Sequence, residues 1–219
     1  MKICIGIVAY NALDDGQVCE DYLKFMYYLG KRHPEHEFQL ALKTKSEQFR
    51  ARNAIVKAAL QNGADYIFML DDDHIIGINK KPDDYDLPLK MIKHMEERPE
   101  IGIVGALYFQ RGDQCYPVFM QEKDGKPYFL LHSEVSFKMQ KVDVTGGGCM
   151  MIRASIFDKI EEPWFAPEHD YGTDIQISKQ ARKAGYEVWC DTSLEVGHLV
   201  REKAIITSKL LSQKVRFDA

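Results

Sequence analysis

No stretch of this chain is long and apolar enough to span a membrane, and no block of lysine and arginine is long enough to mark a nucleic-acid surface. The net charge of -4 over 219 residues agrees, so neither a transmembrane segment nor a nucleic-acid partner is expected. Internal repeats and low-complexity tracts are missing too. The five cysteines (Cys4, Cys19, Cys115, Cys149, Cys190) are odd in number, scattered, and without Cys-x-x-Cys spacing. That excludes a zinc ribbon or a disulfide scaffold and fits reduced thiols in a cytoplasmic protein. Met1-Lys2 leads straight into a strand-like run rather than into the charged and apolar regions of a leader. What remains is an ordinary globular composition, enough for one large α/β unit.

The run Tyr66-Ile67-Phe68-Met69-Leu70 organises the rest. It reads as a buried central strand and passes at once into Asp71-Asp72-Asp73-His74. Open α/β sheets place ligands at the carboxyl ends of their strands. Three adjacent carboxylates repel one another unless a cation or several donors compensate. A divalent metal holding a phosphate-bearing ligand satisfies that condition, because hard cations prefer oxygen. A solvated acidic turn is the plainer reading of a bare Asp-x-Asp, and the strand in front weighs against it.

Other elements follow from periodicity. Lys2–Ala9 is a first buried strand, with Tyr10 and Asn11 at its carboxyl end, placed either to meet a nucleobase or to form a turn. Residues 16–29 form a helix that Gly30 closes. Glu37–Leu42 is a second strand. Ser46 is expected to cap a helix running to Asn62, with Gly63 as its stop. On that helix Arg52 and Asn53 fall on the face of Phe49, Val56 and Leu60, with Arg50 on the flank. A polar pair aimed inward either braces a loop or binds a phosphate or base. A helix over about 87–97 and a strand over Ile101–Phe109 come next.

Residues 115–145 read as antiparallel. Asp124-Gly125 marks a hairpin, and Phe137–Thr145 a third strand. Gly146-Gly147-Gly148 then permits positive φ or close backbone approach to a ligand. A short helix at 154–160 leads to the aromatic loop of Trp164, Phe165 and Tyr171, a possible wall for an acceptor. Thr173 with Gln176 reads as a capping box. Asp174 sits in the first turn, where the helix dipole favours its charge. That helix ends at Gly185, a strand begins at Tyr186, His198 follows it, and a polar helix or tail over 201–219 closes the chain.

Taken in order, these features resemble the GT-A glycosyltransferases, especially the family-2-like enzymes and their small viral and bacterial relatives. The resemblance covers about residues 2–200. It rests on the first strand ending in Ala9 and Tyr10, on Arg50-Ala51-Arg52-Asn53 before Asp71-Asp72-Asp73, on Val144-Thr145-Gly146-Gly147-Gly148-Cys149-Met150, and on Gly172-Thr173-Asp174 with the late His198. It implies a mixed, mainly parallel Rossmann-like sheet with a small antiparallel segment on the acceptor side. One domain is expected: about 1–110 for the nucleotide and about 111–200 for the acceptor.

The activity it implies is transfer of a sugar from a nucleotide-diphosphate sugar to an acceptor hydroxyl, on a glycan, with Mn²⁺ or Mg²⁺ as cofactor. Asp71, Asp73 and His198 would serve the metal. Ala9, Tyr10, Arg50, Arg52, Asn53, Asp71, Asp72, Gly147 and Gly148 would line the donor. Asp174 would be the base, with Asp170 in reserve. Many inverting members carry Glu-Asp where this chain has Thr173-Asp174. A sugar-phosphate nucleotidyltransferase and a non-catalytic glycan-binding module of the same fold are the alternatives.

Overall fold

The computed structural model describes residues 1–10, 16–136, 138–167, 172–199 and 205–207. Its elements run β1 (Lys2–Ala9), α1 (Gly16–Arg32), β2 (Glu37–Thr44), α2 (Gln48–Gln61), β3 (Tyr66–Asp71), β4 (His74–Ile75), α3 (Leu87–Glu97), β5 (Ile101–Leu107), β6 (Phe119–Lys123), β7 (Lys126–Phe129), β8 (Met139–Val142), β9 (Val144–Thr145), β10 (Cys149–Arg153), α4 (Asp174–Lys183), β11 (Glu187–Glu195), β12 (Gly197–Leu199) and β13 (Ile205–Ile206). Short 3-10 turns lie at Pro82–Asp86, His132–Glu134 and Ala154–Asp158.

Seven strands form the central sheet in the order β2-β1-β3-β10-β5-β11-β8. β2, β1, β3, β5 and β11 run in one direction, and β10 and β8 oppose them. This is the mixed, mainly parallel sheet that the sequence predicts. The inner strands β1, β3, β5 and β10 are buried on both faces because helices cover both. Ile3, Ile5, Ile7, Phe68 and Leu70 pack toward α1 and α3. Cys4, Val8, Ile67 and Met69 pack toward α2. Gly6 is where α2 comes closest, since a Cβ there would lie 2.4 Å from Ile55.

Several boundaries differ from the sequence reading, each for a local reason. Gly30 lies inside α1, because Leu29 and the basic last turn Lys31-Arg32 carry the helix on. Glu47, not Ser46, precedes α2, and it makes no side-chain cap. Thr173 precedes α4 but caps nothing. Its hydroxyl is drawn to Arg52 and Asp174, while Gln176 donates to the Pro163 carbonyl. The expected third strand divides at Asp143. β8 joins the central sheet beside β11, and β9 pairs with β6 in a small antiparallel sheet. Asp124 and Gly125, both with positive φ, turn the β6–β7 hairpin as expected. Residues 205–206 are strand rather than helix, and 201–204 and 208–219 lie outside the described residues. Among the described residues, no helix is long and apolar enough to cross a membrane.

The topology gathers one edge. Asp71 ends β3, Ala9 ends β1, Tyr108 follows β5, and Val196-Gly197-His198 follows β11. β10 runs the other way, so its preceding glycines reach the same edge, and the Asp71 amide donates to the Gly148 carbonyl (2.9 Å).

Candidate active site

A cleft of about 430 Å³ opens at this edge. It is lined by Gln48, Arg52, Asp71, Asp73, His74, Tyr108, Gln110, Arg111, Val118, Gly148, Asp174 and His198. The acidic run is resolved by fanning its three carboxylates toward different donors. Asp71 turns to Arg52, and Asp72 accepts the Tyr10 amide at 2.8 Å. Asp73 receives Arg111 on one oxygen and keeps the other toward two histidines.

The Arg52 group is matched at both terminal nitrogens, while its buried Nε has no partner. Its side chain is fully buried. One terminal nitrogen donates to both oxygens of Asp71 (3.0 Å each). The other donates to Asp174 at 2.8 Å and to Thr173 at 2.7 Å. Gln48 adds a bond to Asp71, and the Gly147 amide donates to the second oxygen of Asp174 at 2.8 Å. Burial opposes the Arg52 charge, but Asp71 and Asp174 outweigh it and push its pKa up. The ion triad therefore ties β3, α2 and α4 into one unit.

The histidine group differs. Asp73, His74 and His198 each offer a ligating atom, all within 4.8 Å of one another. The β4–β12 register sets His74 directly opposite His198, and the rings stack at 4.8 Å and 10°. The Tyr108 ring meets His74 edge-on at 4.6 Å. His198 Nδ1 lies 2.7 Å from the Phe109 carbonyl, so the proton belongs there and Nε2 stays free to accept. His74 Nδ1 approaches Asp73 at 3.0 Å without hydrogen-bond angles, and both its ring nitrogens are buried and unpartnered.

The glycine run does not use the positive φ that was expected of it. None of Gly146, Gly147 and Gly148 has positive φ. A Cβ at Gly146 would fall 2.1 Å from the Tyr108 hydroxyl, at Gly147 2.6 Å from the Arg52 guanidinium, and at Gly148 2.7 Å from the His74 ring. The three glycines make room for three site side chains.

The remaining candidates separate clearly. Asn53 braces a loop: it donates to the Phe165 carbonyl at 2.7 Å and accepts the Trp164 and Phe165 amides. Arg50 is exposed on Glu47 (2.8 Å) and does not line the cleft. Tyr10 is 69% exposed, while Ala9 is buried and its carbonyl takes the Lys45 amide. Asp71, expected at the metal, has both oxygens on Arg52 because a buried guanidinium demands them. Trp164 and Phe165, expected to wall an acceptor site, are core residues. Asp170, with Glu168, His169 and Tyr171, lies outside the described residues. Sequence reasoning gave no role to His74, Tyr108, Gln48 or Arg111. The adjacency of His74 to a strand-end aspartate was the one available signal.

No protein-family model matches this chain, and no curated protein matches it. Solved structures do. "A197 from STIV" superposes with a TM-score of 0.59 at 16% identity, over 94% of this chain and 93% of that one. GalNAc-T7, solved with UDP, GalNAc and Mn²⁺, superposes with a TM-score of 0.52 at 11% identity, over 92% of this chain. The chain has the GT-A fold. It spans 44% of the GalNAc-T7 chain, and at such identities the likeness is one of architecture.

Proposed function

We propose that this chain is a metal-dependent glycosyltransferase. It would move a sugar from a nucleotide-diphosphate sugar to an acceptor hydroxyl, on a glycan or similar molecule, with inversion. One observation carries the reading. A carboxylate and an imidazole suited to a divalent cation, Asp73 and His198 (3.6 Å), share one cleft with a second carboxylate, Asp174, at the ligand edge of a GT-A sheet. The donor set fits Mn²⁺ or Mg²⁺: the Asp73 oxygen facing the histidines has no hydrogen-bond partner. Bound there, the cation would neutralise charge growing on the leaving diphosphate.

The chain's own residues divide the remaining work. Tyr10, exposed at the end of β1, presents a ring on which a base can stack. Residues up to about 110 serve the donor, and those beyond serve the acceptor. Asp174 accepts the acceptor's hydroxyl proton. Arg52 and the Gly147 amide each hold one of its oxygens and so fix its orientation. A weak base suffices when proton transfer comes late, after the bond to the leaving group has largely broken. The same bonds favour a second role for Asp174, as a strut that holds Arg52.

A panel of labelled nucleotide sugars, offered with Mn²⁺ and simple sugar acceptors, tests the reading. Release of nucleoside diphosphate with a new glycoside of opposite anomeric configuration is the expected result. Pyrophosphate chemistry would indicate a nucleotidyltransferase instead. Binding without turnover across the panel would indicate a non-catalytic module. Retained configuration would refute inversion.

A further inference from the structure

We propose that His74 is a third protein ligand of the cation, making the site a two-histidine, one-carboxylate set selective for first-row transition metals over Mg²⁺. This rests on the metal-dependent reading above and adds a residue and a selectivity to it.

A buried polar side chain in a folded protein almost always has a partner. His74 is 1% exposed, yet neither ring nitrogen is hydrogen-bonded. Around it Tyr108 accepts the Gly148 amide, His198 donates to Phe109, and Asp73 holds Arg111 on its outer oxygen, which leaves the inner Asp73 oxygen without a partner as well. The ring is also deliberately accommodated. Gly148 lacks the Cβ that would strike it, and the β4–β12 register stacks it on His198. Its Nδ1 lies 3.0 Å from the same Asp73 oxygen that His198 Nε2 approaches at 3.6 Å. Two buried atoms without partners, on Asp73 and His74, thus converge with the outer nitrogen of His198, and one cation can take a ligand from each.

The donor types then set the preference. Mg²⁺ favours oxygen ligands and retains water, whereas imidazole suits the later divalent metals. Two imidazoles with one carboxylate leave further coordination positions open, as a site that must also take a substrate's oxygens requires.

Pulsed electron paramagnetic resonance of Mn²⁺ bound to the full chain tests this directly, because it counts coordinated imidazole nitrogens. Two are expected in the wild type, and one in both His74→Phe and His198→Phe. Calorimetric titration with MnCl₂ and MgCl₂ should show Mn²⁺ binding more tightly than Mg²⁺. The His74→Phe change should weaken Mn²⁺ by about 10-fold or more, the least that even disturbing a ligand's supporting partner commonly costs. A single coordinated nitrogen in the wild type would overturn the proposal, as would no Mn²⁺ binding at all. The wild-type count needs no variant to fold. A single nitrogen with intact Mn²⁺-dependent sugar transfer would sink the ligand and leave the transferase. Two nitrogens without turnover of any nucleotide sugar would do the reverse.

Discussion

The two halves of the cleft are built on opposite terms. Around Arg52 each terminal nitrogen and the carboxylates of Asp71 and Asp174 are matched. Around His74 the polar atoms converge without satisfying one another. Both halves are formed by the same sheet edge, so the contrast is not one of solvent access. A cluster whose charges are paired with one another is a fixed part of the scaffold. An unsaturated one has capacity left for something that the chain does not supply.

The comparison breaks most visibly in turnover. Asp174→Asn should lower sugar transfer by about 10²–10⁴, the usual worth of general acid–base catalysis, while Mn²⁺ binding at the other half stays near normal. Steady-state rates beside a Mn²⁺ titration check this. Full activity would pass the base role to Asp170 or Glu168 and leave Asp174 as Arg52's strut.

Stability gives the next largest effect. Arg52→Ala strands Asp71 and Asp174, both partly buried, without their cation. Breaking a buried ion pair from one side costs about 3–5 kcal/mol, and chemical denaturation should report a loss of that order. A loss under about 1 kcal/mol, the range of exposed pairs, would remove the arginine half from the scaffold.

Arg111 sharpens the contrast at the boundary. Its 43%-exposed guanidinium sits on the outer oxygen of Asp73 and competes with any cation for that carboxylate. Arg111→Ala should strengthen Mn²⁺ binding in the absence of nucleotide, by a few-fold. Weaker binding would mean that Arg111 orients Asp73 rather than competing for it.

The smallest expected effect is also the most discriminating. With no metal present, His74→Phe should leave stability within about 1 kcal/mol of wild type or raise it. Replacing an unsatisfied buried polar group by an apolar one of similar shape is close to neutral. A large loss would show that the ring is satisfied in the metal-free protein.

Most of the scaffold was legible because it depends on local pattern. β1 and β3 are continuous apolar runs, α3 repeats at helical spacing, and Asp124-Gly125 carries its own turn chemistry. The sequence also put Arg52 and Asn53 on an inward face, which the structure bears out. What each does there was not legible. Arg52 meets Asp71 and Asp174 across 19 and 122 positions, and Asn53 meets Phe165 across 112. Pairings of that range are set by sheet order, and the central placement of β10 has no local signature. His74 escaped for the same reason: its neighbour His198 reaches it through a pairing of two strands only two and three residues long. The glycine run was read for positive φ and for close approach to a ligand; it has no positive φ, and it also leaves room beside Tyr108, Arg52 and His74.

The central claim is that one half of the cleft supports the fold and the other holds a cation. Thermal denaturation of wild type, Arg52→Ala and His74→Phe, each with and without Mn²⁺, tests it most directly. A cation that binds only the native state raises its melting temperature. The account predicts that Arg52→Ala melts lower by on the order of 10 °C and still gains from Mn²⁺. It predicts that His74→Phe melts with the wild type when metal is absent and loses most of the Mn²⁺ gain. Equal Mn²⁺ gains in wild type and His74→Phe, or no gain in any of the three, would contradict it.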